Sequence, residues 1–138
     1  MSKEELVASV KRIHALVRSG NFDEGYVAYR ELFESASFLA ERPEDQRQAL
    51  RLMIHAKGAP QKPTKAMIEA HRAAVVPLTE LVSTGQEPAD HEMLGMCHVM
   101  LGNEESASII YRAGLAIERE RSAGSDLCGA LMKRISLL

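Results

Sequence analysis

Apolar residues recur at intervals of three and four along most of the chain, which is the spacing of one face of an α-helix. In residues 4–18, for example, the apolar positions are Leu6, Val10, Ile13, Leu16 and Val17. No stretch shows the strict alternation of apolar and polar residues that is typical of a half-buried β-strand. The pattern therefore predicts an all-α protein.

Glycine, proline and short polar stretches divide this pattern into seven predicted helices. They occupy residues 4–18, 22–39, 43–57, 64–82, 88–101, 103–122 and 125–138. Pro77 lies inside the fourth helix, where it lacks an amide hydrogen and its ring clashes with the preceding turn, so we expect a kink or a break there. Six of these helices form three antiparallel pairs because short connections join them, and the seventh is an additional C-terminal helix.

Capping residues support several of these boundaries. Ser2 with Glu5 three residues later resembles a capping box, and Thr64 precedes the fourth helix. Asn103 is a favourable N-cap for the sixth helix, and Ser125 or Asp126 caps the last. These residues predict where the helices begin.

Two stretches of the chain repeat the same order of residues. In each, a Gly-Asn pair closes one helix and opens the next, at Gly20-Asn21 and at Gly102-Asn103. A small residue follows five positions after each glycine, and an aromatic residue follows four positions later; these are Gly25 and Tyr29 in the first stretch, and Ala107 and Tyr111 in the second. Repetition of this kind indicates stacked copies of one structural unit.

The second stretch resembles the tetratricopeptide repeat. Leu94-Gly95 resembles the Leu-Gly pair of the first helix of that repeat, Gly102 the turn glycine, and Ala107, Tyr111 and Gly114 the small, aromatic and small positions of the second helix. Small residues at Gly95, Ala107 and Gly114 let helix backbones approach closely, and the Tyr111 ring fills the remaining groove. The first stretch departs from this pattern at Arg12-Ile13 and at Leu32.

Between these two stretches the resemblance is weaker. Leu50, Ile54 and Gly58 fit the first helix of a repeat, and Ala66, Ala70 and Ala73 follow after an enlarged turn. Gly20 and Gly102 lie farther apart than two repeat units of about 34 residues, so the middle pair is longer than standard.

The resemblance implies an architecture and a function. It implies about three helix pairs stacked in a right-handed array that forms a single domain over residues 1–138, with the last helix capping the exposed end. In such arrays the first helix of each pair lines a concave face where a peptide or helix of a partner protein docks. The positions implied for this chain are Val10, Lys11, His14 and Arg18 of the first helix, Gln48, Leu52 and His55 of the third, and Glu92, Met96, Val99 and Met100 of the fifth. The alternative is that Leu52, Met96 and Val99 are ordinary core contacts between helices.

Composition and charge exclude several classes of function. The chain has 138 residues and a formal net charge of -2, and no part of it is strongly basic, so phosphate neutralisation does not favour a nucleic-acid partner. It has no apolar run of about 20 residues and no signal peptide, so we expect no membrane partner and a cytoplasmic location. Cys97 and Cys128 have apolar neighbours and no ligand spacing, which predicts buried free thiols.

No arrangement of residues predicts catalysis. The five histidines lack the spacing of a zinc site, and the sequence has neither a Gly-x-Ser-x-Gly nucleophile elbow nor a phosphate-binding glycine loop. We therefore expect a protein-binding adaptor or regulatory subunit without enzyme activity, metal or cofactor. Two alternatives stay open: a structural protein that self-associates, for instance as a homodimer through Leu137 and Leu138, or an enzyme or small-molecule binder with a pocket near His55, His71 and Pro77.

Overall fold

The computed structural model describes every residue from Met1 to Leu138 and contains helices but no strands, which confirms the prediction of an all-α protein. The helices are α1 (Lys3–Arg18), α2 (Phe22–Glu34), α3 (Ala36–Leu39), α4 (Pro43–Ile54), α5 (Lys65–Gly85), α6 (Pro88–Met100), α7 (Glu104–Ser122) and α8 (Asp126–Ser136). Contacts along the chain divide it into two compact units, Met1–Pro77 and Leu78–Leu138.

The first unit is built around three aromatic rings. The Tyr29 and Phe33 rings stack with centroids 5.6 Å apart, and the Phe33 and Phe38 rings are tilted with centroids 5.2 Å apart. All three side chains are almost completely buried. Helix α2 carries Tyr29 and Phe33 and contacts α1 across a three-residue connection, and α4 contacts α1. These rings and the buried Tyr26 are the largest side chains of a core whose other members are mostly aliphatic.

The single helix predicted over residues 22–39 is instead two helices separated at Ser35. The Ser35 backbone is extended, and its hydroxyl donates to the carbonyl of Leu32 at 2.7 Å and accepts from the amide of Phe38 at 3.1 Å. Ser35 therefore ends α2 and caps α3 with one side chain. The break turns Phe38 into the core and leaves Ala36 exposed.

The third predicted helix ends earlier than expected. Pro43 lies in the first turn of α4, as predicted, but the helix stops at Ile54, and Gly58 lies in the turn that follows. At the other end, the buried amide of Gln46 donates to the carbonyls of Phe38 and two neighbouring residues at 3.1 Å each. This side chain therefore links α4 to the end of α3 and to the residues that follow it.

Of the kink or break predicted at Pro77, the break does not occur: α5 continues through this residue to Gly85. An internal proline costs a helix about 3 kcal/mol. Ala74 before it and Leu78 and Leu81 after it are buried, and burying one leucine contributes about 1.5–3 kcal/mol. Packing of the residues on both sides therefore outweighs the proline.

The second unit consists of the end of α5 followed by α6, α7 and α8. Helix α7 packs against both α6 and α8. Its core cluster comprises Ala107, Tyr111, Leu115, Cys128 and Leu131. The helix starts agree with the sequence: Ser125 caps α8 by accepting from the amide of Cys128 at 3.1 Å.

The two Gly-Asn turns have the same backbone geometry. Gly20 and Gly102 have φ of 91° and 80°, in the left-handed region that favours glycine. The amides of Asn21 and Asn103 donate to the carbonyl five residues earlier, at 2.9 and 2.8 Å, and each glycine amide donates to the carbonyl three residues earlier, at 3.1 and 3.0 Å. These paired bonds define a Schellman motif at both sites.

The asparagines contribute differently from the prediction. Asn103 was expected to cap its helix with its side chain, yet neither Asn103 nor Asn21 makes a side-chain cap bond. Instead, the backbone carbonyls of the two residues accept from the amides of Gly25 and Ala107 at 3.1 and 3.0 Å. The turn is therefore determined by the glycine and the main chain rather than by the amide side chain.

Small residues on α6 and α7 allow these helices to approach closely. A Cβ added at Gly95 would overlap the Tyr111 ring, and one added at Gly114 would lie 2.6 Å from Cβ of His91. The expected role of Gly95 and Gly114 is confirmed, and the Tyr111 ring occupies the space above Gly95.

Candidate functional site

A groove of about 200 Å³ lies between α1 and α4 in the first unit. The residues that line it recur at helical spacing on both helices, so each wall of the groove is one face of an amphipathic helix. Its lining consists of Lys3, Leu6, Val7, Val10 and Lys11 from α1 and Asp45, Gln48, Ala49 and Leu52 from α4. We call this the α1–α4 groove.

The floor of the groove is apolar and its upper walls are partly apolar. Leu6, Val10 and Ala49 are buried and form the floor, whereas Val7 and Leu52 stand on opposite walls with 41% and 42% of their surface exposed. Exposed aliphatic side chains above an apolar floor are a common feature of surfaces that receive a helix or peptide.

The charged groups of the groove are mostly cationic. Asp45 is the one carboxylate of the lining; its oxygens lie 3.9 Å from Nζ of Lys3 and 3.3 Å from Nε of Arg42. Two cations therefore neutralise it. Lys3 and Lys11, which are two helical turns apart on α1, leave the rim of the groove with positive charge.

The structure brings together four of the seven residues predicted for this site in the first unit. Val10, Lys11, Gln48 and Leu52 all line the α1–α4 groove, although Val10 belongs to its floor. His14, Arg18 and His55 are not in the lining: His14 is half-buried and the other two are exposed. His55 follows the end of α4 because that helix is shorter than predicted.

The four residues predicted in the second unit, all on α6, have different environments. Glu92 is buried, and its Oε2 accepts from Nε of Arg134 on α8 at 2.7 Å, so this carboxylate holds two helices together rather than facing outward. Met96 packs against the core cluster of α7 and α8. Val99 is exposed and Met100 half-buried. The core-contact alternative thus describes Met96, but not Leu52 or Val99.

His55 and His71, named above for a pocket with Pro77, have different environments. His71 is buried, and its Nδ1 lies 2.7 Å from the carbonyl oxygen of Met67. Its ring centroid lies 6.3 Å from that of Tyr26. Burial lowers the pKa of His71, and the hydrogen bond to Met67 offsets part of this effect. His71 is therefore a core residue, whereas His55 is on the surface.

The cysteines are both buried and free, as predicted. Burial raises the pKa of Cys97 to about 12, so this thiol stays protonated at neutral pH and is a poor nucleophile. The structure contains no cluster of three or more His, Cys, Asp or Glu side chains arranged to hold a metal ion. None of its helices combines the length and the apolar character needed to cross a membrane.

Sequence reasoning missed five lining residues of the groove, which are Lys3, Leu6, Val7, Asp45 and Ala49. One signal was available. Lys3, Val7 and Lys11 are spaced four residues apart and therefore share a face of α1. Extending the predicted face by two turns toward the N-terminus would have included Lys3 and Val7. The contribution of Asp45 and Ala49 depends on how α4 packs on α1, which spacing alone does not reveal.

No protein-family model matches the chain, and neither a curated protein nor a solved structure matches it.

Proposed function

We propose that this protein is an interaction module that binds a peptide or helix of another protein in the α1–α4 groove. One observation carries the proposal: an open apolar groove between two helices, four of whose lining residues were nominated from the sequence. The exposed Val7 and Leu52 are available to contact an apolar side chain of the partner. The partner-binding residues are then Val7, Lys11, Gln48 and Leu52.

The tetratricopeptide resemblance is part of this proposal. The matching Schellman turns at Gly20-Asn21 and Gly102-Asn103 support the assignment of α1 with α2, and of α6 with α7, as repeat pairs. Buried tyrosines at equivalent positions, Tyr29 and Tyr111, support it as well. In this assignment α1 is the first helix of a pair, which is the helix that contributes to partner binding in such repeats.

The test begins with selection of displayed peptides against the whole chain, followed by measurement of their affinity by fluorescence anisotropy. Leu52→Glu places a carboxylate on the groove wall, and we expect it to weaken binding at least about tenfold, equivalent to about 1.4 kcal/mol. Val27→Glu is the matched control, because Val27 on α2 is 48% exposed and lies outside the groove lining. It should leave the affinity unchanged.

Hydrogen exchange locates the bound peptide independently of mutation. We expect slower amide exchange in α1 and α4 when the peptide is bound, because docking restrains both walls of the groove. Failure to select any peptide that binds saturably would reject the proposal. Equal losses of affinity in the Leu52 and Val27 variants would reject it too.

A further inference from the structure

A second concave surface of about 370 Å³ lies on α2, α3 and α5 of the first unit. We call it the Val76 face. It shares no residue with the α1–α4 groove, and the proposed function does not use it. Its lining consists of Arg30, Phe33 and Glu34 from α2, Leu39 from α3, and Glu69, Arg72, Ala73 and Val76 from α5.

The centre of the Val76 face is apolar. Phe33 and Ala73 are buried and contribute to its floor, whereas Leu39 and Val76 project with 44% and 62% of their surface exposed. The face therefore has both a hollow and projecting aliphatic side chains that can fill a similar hollow.

Two ion pairs flank this centre, one on each long helix. On α2, Nε of Arg30 lies 2.8 Å from Oε1 of Glu34. On α5, Nε of Arg72 lies 3.7 Å from Oε1 of Glu69. The face therefore has two cations and two anions, and its net charge is zero.

We propose that the Val76 face binds the same face of a second copy of this chain and forms a two-fold symmetric dimer. In such a dimer one surface faces itself, so it must be complementary to itself in charge and shape. A surface of one sign would repel its copy. On the Val76 face each arginine has a glutamate beside it, so a second copy turned by half a revolution can place its glutamates against the arginines of the first.

The α1–α4 groove lacks this property. Its lining has one carboxylate, Asp45, and two lysines, Lys3 and Lys11, so it carries a net positive charge. Two copies meeting there would bring lysines toward lysines. Charge complementarity thus favours a second copy on the Val76 face and disfavours one in the groove.

The proposed packing assigns partners to the charged groups. With α5 of one copy against α2 of the other, Arg72 faces Glu34 of the partner subunit, and Glu69 faces Arg30 of the partner subunit. Val76 and Leu39 enter the opposite hollow. The face has eight lining residues, fewer than the roughly 20–30 that each side of a standard interface contributes, so we expect a weak dimer with a Kd on the order of 1–100 µM.

Sedimentation velocity of the full chain, over a concentration range that spans micromolar Kd values, tests the proposal. The wild type should shift from monomer to dimer as concentration rises. Val76→Glu should remain monomeric throughout, because it places a charge in the apolar centre. Leu137→Glu is the matched control: Leu137 is still more exposed, at 74%, and lies outside the face. This variant should dimerise like the wild type.

A charge exchange tests the assigned partners. Arg72→Glu and Glu34→Arg should each weaken self-association, because each places like charges opposite one another in both halves of the dimer. When the two variants are mixed, one half of the heterodimer regains a native pair and the other gains a reversed pair, so association should recover. Circular dichroism of each variant should show wild-type helix content.

Three outcomes would overturn the proposal. The first is a wild type that stays monomeric over the whole concentration range. The second is dimerisation that survives Val76→Glu, or that Leu137→Glu abolishes. The third is a mixture of the two charge variants that associates no better than either variant alone.

Discussion

The ring of Tyr111 on α7 lies against the backbone of α6 at Gly95, so closely that a Cβ at position 95 would overlap the ring. Only 2% of the surface of Tyr111 is exposed. This contact makes the second unit sensitive to a single added methyl group at position 95.

We therefore expect Gly95→Ala to destabilise the protein. Alanine gains about 1 kcal/mol in helix propensity, but overpacking a filled core costs about 1–3 kcal/mol, and the displaced ring is fully enclosed. The expected net loss is up to about 2 kcal/mol in the free energy of unfolding, measured with urea. Gly129→Ala is the control, because Gly129 is helical and has no atom near an added Cβ. It should stabilise the protein by about 0.5–1 kcal/mol. Changes of the same sign in both variants would contradict the packing described.

The ion pair between Glu92 and Arg134 should contribute measurably to stability. Its atoms are 2.7 Å apart, and the side chains are only 10% and 32% exposed. Removing one partner leaves the other charge partly buried, so Glu92→Ala should cost about 1–3 kcal/mol, less than the loss for a fully buried pair.

A double-mutant cycle with Arg134→Ala isolates the coupling between the two side chains. The reference is the pair of Glu87 and Arg121, which are 3.5 Å apart and each 49% exposed. That pair should contribute less than about 0.5 kcal/mol. If the coupling energy of Glu92 and Arg134 is no larger than that of the reference pair, burial does not strengthen this ion pair.

His71 should make the protein less stable in mild acid. Burial lowers its pKa in the folded state below the ordinary value of 6.5, so the unfolded chain binds the proton more readily. Its contribution is fully present above pH 6.5 and is lost as pH falls from there through the lowered pKa, at no more than about 1.4 kcal/mol per pH unit.

His71→Gln keeps a donor for the carbonyl of Met67 and cannot be protonated in this range. We expect urea unfolding to show a smaller loss of stability between pH 7.5 and pH 5 in this variant than in the wild type, as linkage requires. Parallel pH profiles for the two proteins would rule out His71 as a source of acid sensitivity.

The two Schellman turns should respond alike to mutation. Gly20→Ala and Gly102→Ala each force a side chain into left-handed backbone, at a cost of about 1–2 kcal/mol. Neither site has an atom near the added Cβ, so packing does not add to this cost. Gly124→Ala, at a turn glycine without positive φ and with open space around it, should change stability by less than about 0.5 kcal/mol. Thermal unfolding of the three variants checks this, and a small effect at either Schellman glycine would contradict it.

The features that depend on local chemistry could be predicted from the sequence. Spacing of apolar residues located most helices, and Gly20 and Gly102 marked turns because few other residues adopt their backbone conformation. Ser35 escaped prediction because a serine inside a helical pattern is compatible with either outcome. The effect of Pro77 on its helix was overestimated. The burial of Leu78 and Leu81, which a local rule for proline does not include, outweighs the missing backbone hydrogen bond.

The candidate groove was predicted only in part, because its position depends on how the helices pack as well as on local sequence. Its helices followed from the repeat, but its centre lies nearer the N-terminus of α1 than expected, at Lys3 and Val7. Glu92 was assigned to a docking face because its partner, Arg134, is distant in sequence and on another helix. The spacing of apolar residues predicts which face of a helix is buried. It does not predict which charged side chain from a distant part of the sequence pairs with a residue on that face.

The three-residue connections at the Schellman turns have a consequence for how fast the chain folds. Each joins helices that pack against each other, so these contacts form between sequence neighbours and close short loops. Helical domains dominated by such local contacts fold in microseconds to milliseconds. We therefore expect the α6–α7–α8 segment to reach its native packing rapidly, with Gly102 acting early by reversing the chain before the more distant pair of Glu92 and Arg134 can form.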